Sequence, residues 1–434
     1  MVPNGWSQTR LENIAKIRSG STPLRAKQDL YFSEDGTPWV KTLDLNNSEI
    51  IVTDERITEL ALKETSCSIL PANTVLVAMY GGFNQIGRTG LLTQPSAINQ
   101  ALSGLVLDLE RAEPKYVLDY LNGNVGQWKK FAASSRKDPN ITRQDVCSFE
   151  ILLPPLIEQQ KIAKILSTWD KAISTTERLI DNSTQQKKAL MQQLLTGKKR
   201  LLSTNSGFSV RDGFAKSKLG ELPDDWNLSL ISNFYWFQEG PGVRKHQFTE
   251  TGVKLLNGTN IQKSRVDLTT TKTHISEDEA YGGYKHFLAD SGDLIIACSG
   301  ISVDRFDEKI AFLEDRHLPL CMNTSTMRFK VKKDVKASLE FLRYFMMSPL
   351  FKNQIRRQIT GSAQLNFGPS HVEKCYIALP SYDEQQRIAA VLINADKEID
   401  LLEQQLADLQ QEKKALMQVL LTGKRRVVVS GEEV

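Results

Sequence analysis

The chain contains a long internal repeat. Residues 154–200 and 380–426 align without a gap, with 24 identities over 47 positions. A repeat that long and gapless means one structural unit used twice, and it must be placed before anything else. Its period identifies the unit. In the second copy Leu392, Ala395, Ile399, Leu402, Leu406, Leu409, Lys413, Leu416 and Leu420 follow one another at alternating steps of three and four. The first copy places Leu166, Trp169, Ile173, Thr176, Ile180, Ser183, Lys187, Leu190 and Leu194 at the same steps. That is a heptad seam on an amphipathic helix. Pro154-Pro155 and Pro380 mark the helix starts, and Thr196-Gly197 and Thr422-Gly423 mark the stops, where glycine suits a left-handed termination. Each helix of about 40 residues spans roughly 60 Å.

A lone helix of that length cannot bury its own seam. The nearest partner is the other copy, giving an intramolecular coiled coil. The alternatives are that each helix packs on its own globule, or pairs with another chain. Polar Thr176, Ser183 and Lys187 in the first seam disfavour self-pairing of that helix and favour the better-filled second copy.

Two globular segments precede the two helices, from Trp6 to Pro154 and from Trp226 to Pro380. Glycine follows each tryptophan at the same spacing (Gly20, Gly240). A strand-like run recurs as Val75–Met79 and Leu294–Cys298. Asn99-Gln100-Ala101 and Asn323-Thr324-Ser325 each precede another such run, Leu105–Leu107 and Met327–Val331. Between these landmarks the segments share almost nothing. The expected fold class is therefore α+β. Its division is a first globule over 1–153, helix one over 154–201, a linker over 202–219, a second globule over 220–379, helix two over 380–427 and a tail over 428–434. If the two halves are related by a pseudo-two-fold axis, the helices run antiparallel. The arrangement is then circular, bringing residues 1–6 beside 424–434.

Catalytic tools are missing from this sequence. Thr196-Gly197-Lys198-Lys199 lacks the upstream glycine of a phosphate-binding loop and ends a helix rather than following a strand. Gly240-Pro241-Gly242 opens no helix. The five histidines show no metal-ligand spacing, and the acidic run Glu277-Asp278-Glu279 between His274 and His286 reads as an exposed loop. Pro223-Asp224-Asp225 reads as a turn before Trp226. Cys67, Cys147, Cys298, Cys321 and Cys375 are scattered and unpaired by spacing, which fits a reducing compartment. No run reaches the 18–20 apolar residues of a membrane span, and the start lacks the apolar core of a signal peptide, so a cytoplasmic location is expected. No metal or cofactor site is expected in this chain.

What recurs instead is basic and polar. The net charge is only +4, so a polyanion partner requires uneven placement of the cations. Lys129, Lys130, Arg136, Lys137 and Arg143 cluster late in the first globule with Asp138 as the one acid among them. Lys352, Arg356 and Arg357 occupy the corresponding part of the second. Both runs lead into loops rich in small and amide residues, the second containing Gln364 and Asn366. Arg88 and the Arg244-Lys245 loop complete the candidate DNA-contacting set. A solvated surface is the competing reading of any one such run. Asn366 has a counterpart in Asn140, which favours a framework role over base reading.

Residues 154–163 (Pro-Pro-x-x-Glu-Gln-Gln-x-Ile-Ala), its second copy through Ala389, and Lys-Lys-Ala-Leu-Met-Gln-x-Leu-Leu-Thr-Gly-Lys at 187–198 and 413–424 resemble the specificity subunit of type I restriction-modification systems. The resemblance runs along essentially the whole chain. It implies two target recognition domains, each reading half of a split, asymmetric double-stranded DNA site, held apart by an antiparallel coiled coil. It also implies a non-catalytic role in the cytoplasm of a prokaryote. The implied partners are two modification subunits, which carry S-adenosylmethionine chemistry, and two restriction subunits, which carry ATP- and Mg-dependent chemistry. A stand-alone DNA-binding or architectural protein, or a coiled-coil scaffold without DNA, are the alternatives.

Overall fold

A computed structural model of the chain describes residues 2–82, 84–133, 140–201, 213–269, 271–359 and 364–427. The chain divides into two compact units, Met1–Arg178 with Glu403–Val434, and Leu179–Leu402. The boundary differs from the linear one expected from sequence. It cuts both long helices, so each unit owns one globule and half of each helix. A continuous helix has no internal breakpoint, and its residues are assigned by what their seam is buried against.

Unit 1 is built on a five-stranded sheet of β1 (Ala15–Ser19), β2 (Glu49–Ile50), β3 (Val75–Ala78), β4 (Thr89–Leu92) and β5 (Leu102–Leu107), in the order β1-β5-β3-β4-β2. All pairings are antiparallel except that of β2 with β4. β3 and β4 are buried along their whole length, which is why they read as continuous apolar runs rather than alternating ones. Helices α1 (Pro114–Gly123) and α2 (Val125–Ala133) follow the sheet, and α1 packs on β3 and β4. The long helix α3 spans Leu156–Leu195. It begins one residue after Pro155, which has no N–H to leave unpaired. A ladder between Ser7–Arg10 and Glu150–Leu153 closes the globule just before α3 starts.

Unit 2 repeats this plan. Strands β6 (Tyr235–Glu239), β7 (Leu294–Ala297), β8 (Ile310–Phe312) and β9 (Thr326–Val331) form an antiparallel sheet in the order β6-β9-β7-β8, the counterpart of β1-β5-β3-β4. Helices α4 (Leu339–Met347) and α5 (Pro349–Gln358) stand for α1 and α2, and the long helix α6 spans Tyr382–Leu420. The closing ladder is Asn227–Leu230 with Tyr376–Leu379. Each unit also carries a small three-stranded sheet. Its central strand (Phe32–Val40; Val253–Leu256) lies antiparallel to one neighbour and parallel to the other. The expected linker is partly structured: Phe214–Ser217, inside its range, pairs with Gly220–Pro223 as a hairpin. Residues 202–212 and the tail 428–434 lie outside the described residues.

The seams behave as the heptad requires. Leu166, Leu194, Leu392 and Leu420 are buried. Trp169, Ile173, Ile180, Leu190, Ala395, Ile399, Leu402, Leu406, Leu409 and Leu416 are half-buried, while off-seam Leu179 and Leu401 are exposed. In unit 1 the early turns of α3 lie against the late turns of α6, with Leu166, Leu416 and Leu420 in one core. In unit 2 the late turns of α3 lie against the early turns of α6, with Leu190, Leu194 and Leu392 in one core. The two helices are thus antiparallel within each unit. Polar seam positions find partners there. Thr176 donates to the Ala172 carbonyl, Ser183 to Glu398 and Lys187 pairs with Asp396 in unit 2, and Lys413 pairs with Asp170 in unit 1. The last two pairs are the same repeat positions with the helices exchanged.

Candidate nucleic-acid interface and its frame

The antiparallel order of the sheets has a direct consequence for loops. In unit 1 the C-terminal ends of β1 and β3 and the N-terminal ends of β4 and β5 share one edge. Residues 20–24, 79–82, 84–88 and 99–101 therefore gather there. Residues 41–47 join them, since Asn99 N–H donates to the Val40 carbonyl and Asn47 N–H to that of Thr89. In unit 2 the same logic gathers 240–244, 298–309, 323–325 and 257–260, and Asn323 N–H donates to the Leu256 carbonyl. The glycine landmarks now have a reason. A Cβ on Gly20 would sit 2.0 Å from the Asn99 carbonyl oxygen, and one on Gly240 would sit 2.4 Å from that of Asn323. No side chain fits such a backbone crossing.

Four candidate cations of unit 1 group around this edge. Arg88 is half-buried and donates to Gln85 Oε1 (2.9 Å). Lys129 and Lys130 are exposed on α2. Trp128 anchors that helix beside the edge, its ring so close to Gly87 that a Cβ there would be 2.4 Å away. Arg143 is exposed and donates to the Ile17 carbonyl (3.1 Å), while Ile141 N–H donates to that of Met79. Arg136 and Lys137 lie outside the described residues. In unit 2 Arg244 and Lys245 are exposed at the start of a short 3-10 turn, and Arg356 and Arg357 are exposed in the last turn of α5. Lys352 is held by Asp307 at 2.8 Å, an exposed pairing worth little as stability but enough to offset its charge. Gln364 is exposed in a short ladder opposite Ser302. Asn366 accepts hydrogen bonds from Gly300 N–H (2.7 Å) and the Ser299 hydroxyl (3.0 Å). Its amide oxygen is thus spent on shaping a loop, the framework role its counterpart Asn140 suggested.

Sequence reasoning missed what the repeated Glu-Gln-Gln does. In unit 2 Glu384 takes two hydrogen bonds from Arg200 (2.8 and 2.7 Å) and one from Leu201 N–H (3.1 Å), and Arg200 also grips Asp225 at 2.8 and 3.0 Å. In unit 1 Glu158 takes two from Arg426 (2.8 and 2.9 Å), one from Trp6 Nε1 (3.1 Å) and one from Val427 N–H (3.4 Å). Arg426 also donates to the Asn4 carbonyl at 2.7 Å, which brings segments 2–6 and 423–427 together as expected. The next residue is a bracket in both units. Gln159 donates to the Pro154 carbonyl and accepts from Glu113 N–H, and Gln385 donates to that of Pro380 and accepts from Ser338 N–H. These residues fix each globule to its helix. The signal available in sequence was their identity at one constant offset, but nothing in one dimension pairs the glutamate with an arginine past the far end of the other helix.

A family model described as type I restriction modification DNA specificity domain matches residues 3–183 and 223–411. The type I restriction enzyme MjaVIII specificity subunit of Methanocaldococcus jannaschii is 27% identical over 98% of this chain and 94% of its own length. The putative MjaX specificity subunit of the same organism is 26% identical over 98% and 95%. Among solved structures, the type I restriction-modification system S subunit from M. genitalium superposes with a TM-score of 0.58 at 14% identity, covering 97% of this chain and 98% of that one, a likeness of fold. With a repeated frame that accounts for both matched segments, this chain belongs to the type I restriction-modification DNA specificity family.

Proposed function

We propose that this chain is the DNA-specificity subunit of a type I restriction-modification enzyme, and that each globule reads one half of an asymmetric, bipartite double-stranded site. The observation that carries this reading is the pairing of one framework with two contents. Equivalent loops meet at the same sheet edge in both units on the same glycine–asparagine crossings, yet their residues differ. Two identical readers address a palindrome, whereas two diverged readers address an asymmetric sequence. In this reading the exposed Lys129, Lys130, Arg143, Arg356 and Arg357 contact phosphates, which position the reader without specifying sequence. The α3–α6 pair serves as the spacer between readers and as the dock for modification subunits, two per chain, with two restriction subunits completing the assembly in a prokaryotic cytoplasm. This chain is non-catalytic in that scheme. S-adenosylmethionine, ATP and Mg belong to its partners.

Replacing residues 6–153 with the first globule of another family member, followed by methylation mapping in a host carrying the modification subunits, tests the modular reading. One half of the recognised motif should change and the other persist. A motif altered in both halves, or in neither, refutes it.

A further inference from the structure

The two reading edges differ in chemical character at three equivalent positions. Leu24 caps the 3-10 turn Arg25–Lys27, and Arg244 caps its counterpart Lys245–Gln247. Leu43 is the middle residue of the turn Thr42–Asp44, and Thr259 is the middle residue of Gly258–Asn260. Tyr80 and Ser299 each stand two residues beyond the end of their strand, β3 or β7, and just before a left-handed glycine (Gly81, φ 115°; Gly300, φ 68°). In unit 1 all three are apolar or aromatic and open to solvent: Leu24 is 61% exposed, Leu43 78% and Tyr80 41%. In unit 2 the same places carry a guanidinium and two hydroxyls.

A single exposed leucine means nothing. Two leucines and a tyrosine at one edge, with polar residues in the sibling frame, constitute a pattern. The Leu43 turn is rigid: Asp44 accepts from Lys41 N–H (2.7 Å) and from Asp54 N–H (3.3 Å), so the leucine is presented rather than tucked away. A Cβ on neighbouring Gly81 would lie 3.9 Å from the Thr42 methyl and 2.8 Å from Gln85 Cβ, which places this turn against the Arg88 loop. On the face of DNA, the group that rewards an apolar side chain is the C5-methyl of thymine in the major groove, whereas guanidinium and hydroxyl groups suit the hydrogen-bonding edges of other bases.

Resting on the reading of unit 1 as a DNA reader, we propose that it recognises its half-site through thymine methyl groups contacted by Leu24, Leu43 and Tyr80, while unit 2 reads its half by hydrogen bonding. The first half-site accordingly contains A·T pairs whose methyls are required.

The test uses the chain assembled with its modification subunits and duplexes carrying the mapped motif. Deoxyuridine replaces thymine one position at a time, which removes the methyl and leaves base pairing intact. In the first half-site, at least one replacement should raise Kd about fourfold, the worth of one buried methyl. Leu43→Thr should bind the thymine and deoxyuridine duplexes alike at the position it contacts. Leu24→Thr and Tyr80→Ser are the corresponding variants for other thymines. All three are surface substitutions that leave the core untouched. Replacements in the second half-site should be neutral in every one. A first half-site without thymine on either strand overturns the proposal. So does equal binding of every deoxyuridine duplex by the unaltered complex, or discrimination that survives in all three variants. If the motif is recognised but methyls are ignored, the proposal falls alone. A complex without sequence preference sinks the DNA-reader assignment as well.

Discussion

Arg200 and Arg426 occupy equivalent repeat positions, yet removing them should have unequal consequences. The Arg200 side chain is 2% exposed and that of Glu384 1%. Arg200→Met therefore strands a carboxylate in the interior with one backbone N–H, that of Leu201, for company. Breaking a buried pair by deleting one partner costs about 3–5 kcal/mol, because the desolvated charge is left uncompensated. Asp225 also loses its bonds to Arg200, but at 33% exposure water can replace them. The Arg426 side chain is 44% exposed, and Glu158 keeps the Trp6 indole and Val427 N–H when it is gone. Solvent screening and these remaining donors should hold the cost of Arg426→Met to about 1–2 kcal/mol. Hydrogen exchange followed by peptide in the full chain reports the two units separately. At 1.4 kcal/mol per decade, Arg200→Met should accelerate the protected amides of unit 2 by about 100-fold or more, and Arg426→Met those of unit 1 by about 5–30-fold. Adding Glu384→Met to Arg200→Met should recover much of the loss, since the stranded charge is gone. Equal acceleration from the two single substitutions, or a double variant no better protected than Arg200→Met, would refute the argument from desolvation.

Three further outcomes follow from the same structure. Seven residues inserted after Asp181 preserve heptad phase and lengthen α3 by about 10 Å, so the mapped motif should accept a gap about three base pairs longer, and an unchanged gap at full activity removes the spacer role. Lys129→Ala with Lys130→Ala should weaken binding to all duplexes and lower the slope of log K against log salt by about 2, while an unaltered slope takes that surface off the DNA. Burial pushes the Asp119 carboxyl up to about 7, opposed by Lys413 and reinforced by Asp170. Its folded pKa lies above the ordinary carboxyl value, so the folded state holds the extra proton between about pH 4 and 7. The stability of unit 1 should therefore fall as pH rises through that window and level off above it. Asp119→Asn should flatten that decline in denaturation titrations, and an identical pH profile would place the proton elsewhere.

Local order was legible in this chain wherever a short-range physical rule applied. The heptad steps give the seam, because helical period alone decides which side chains share a face. Pro155 and Gly197 mark helix ends through backbone constraints that need no partner, and the apolar run at Val75–Ala78 announces a strand buried on both faces. The repeat offset even paired Asn140 with Asn366 and cast both as framework. Tertiary structure alone decided the rest. It made the cut between units pass through the helices, because a seam residue belongs to whatever covers it. It brought Glu158 to Arg426 and Glu384 to Arg200, contacts set by the antiparallel run of two helices rather than by separation along the chain. It also aligned Leu43 with Thr259, which no shared landmark pairs in sequence. Leu24 and Arg244 stand at equal spacing from Gly20 and Gly240, and Tyr80 and Ser299 directly follow the runs ending at Met79 and Cys298, so the chain already pairs them. That the three loops of each unit share one edge is set by β-sheet register, which brings together segments far apart along the chain.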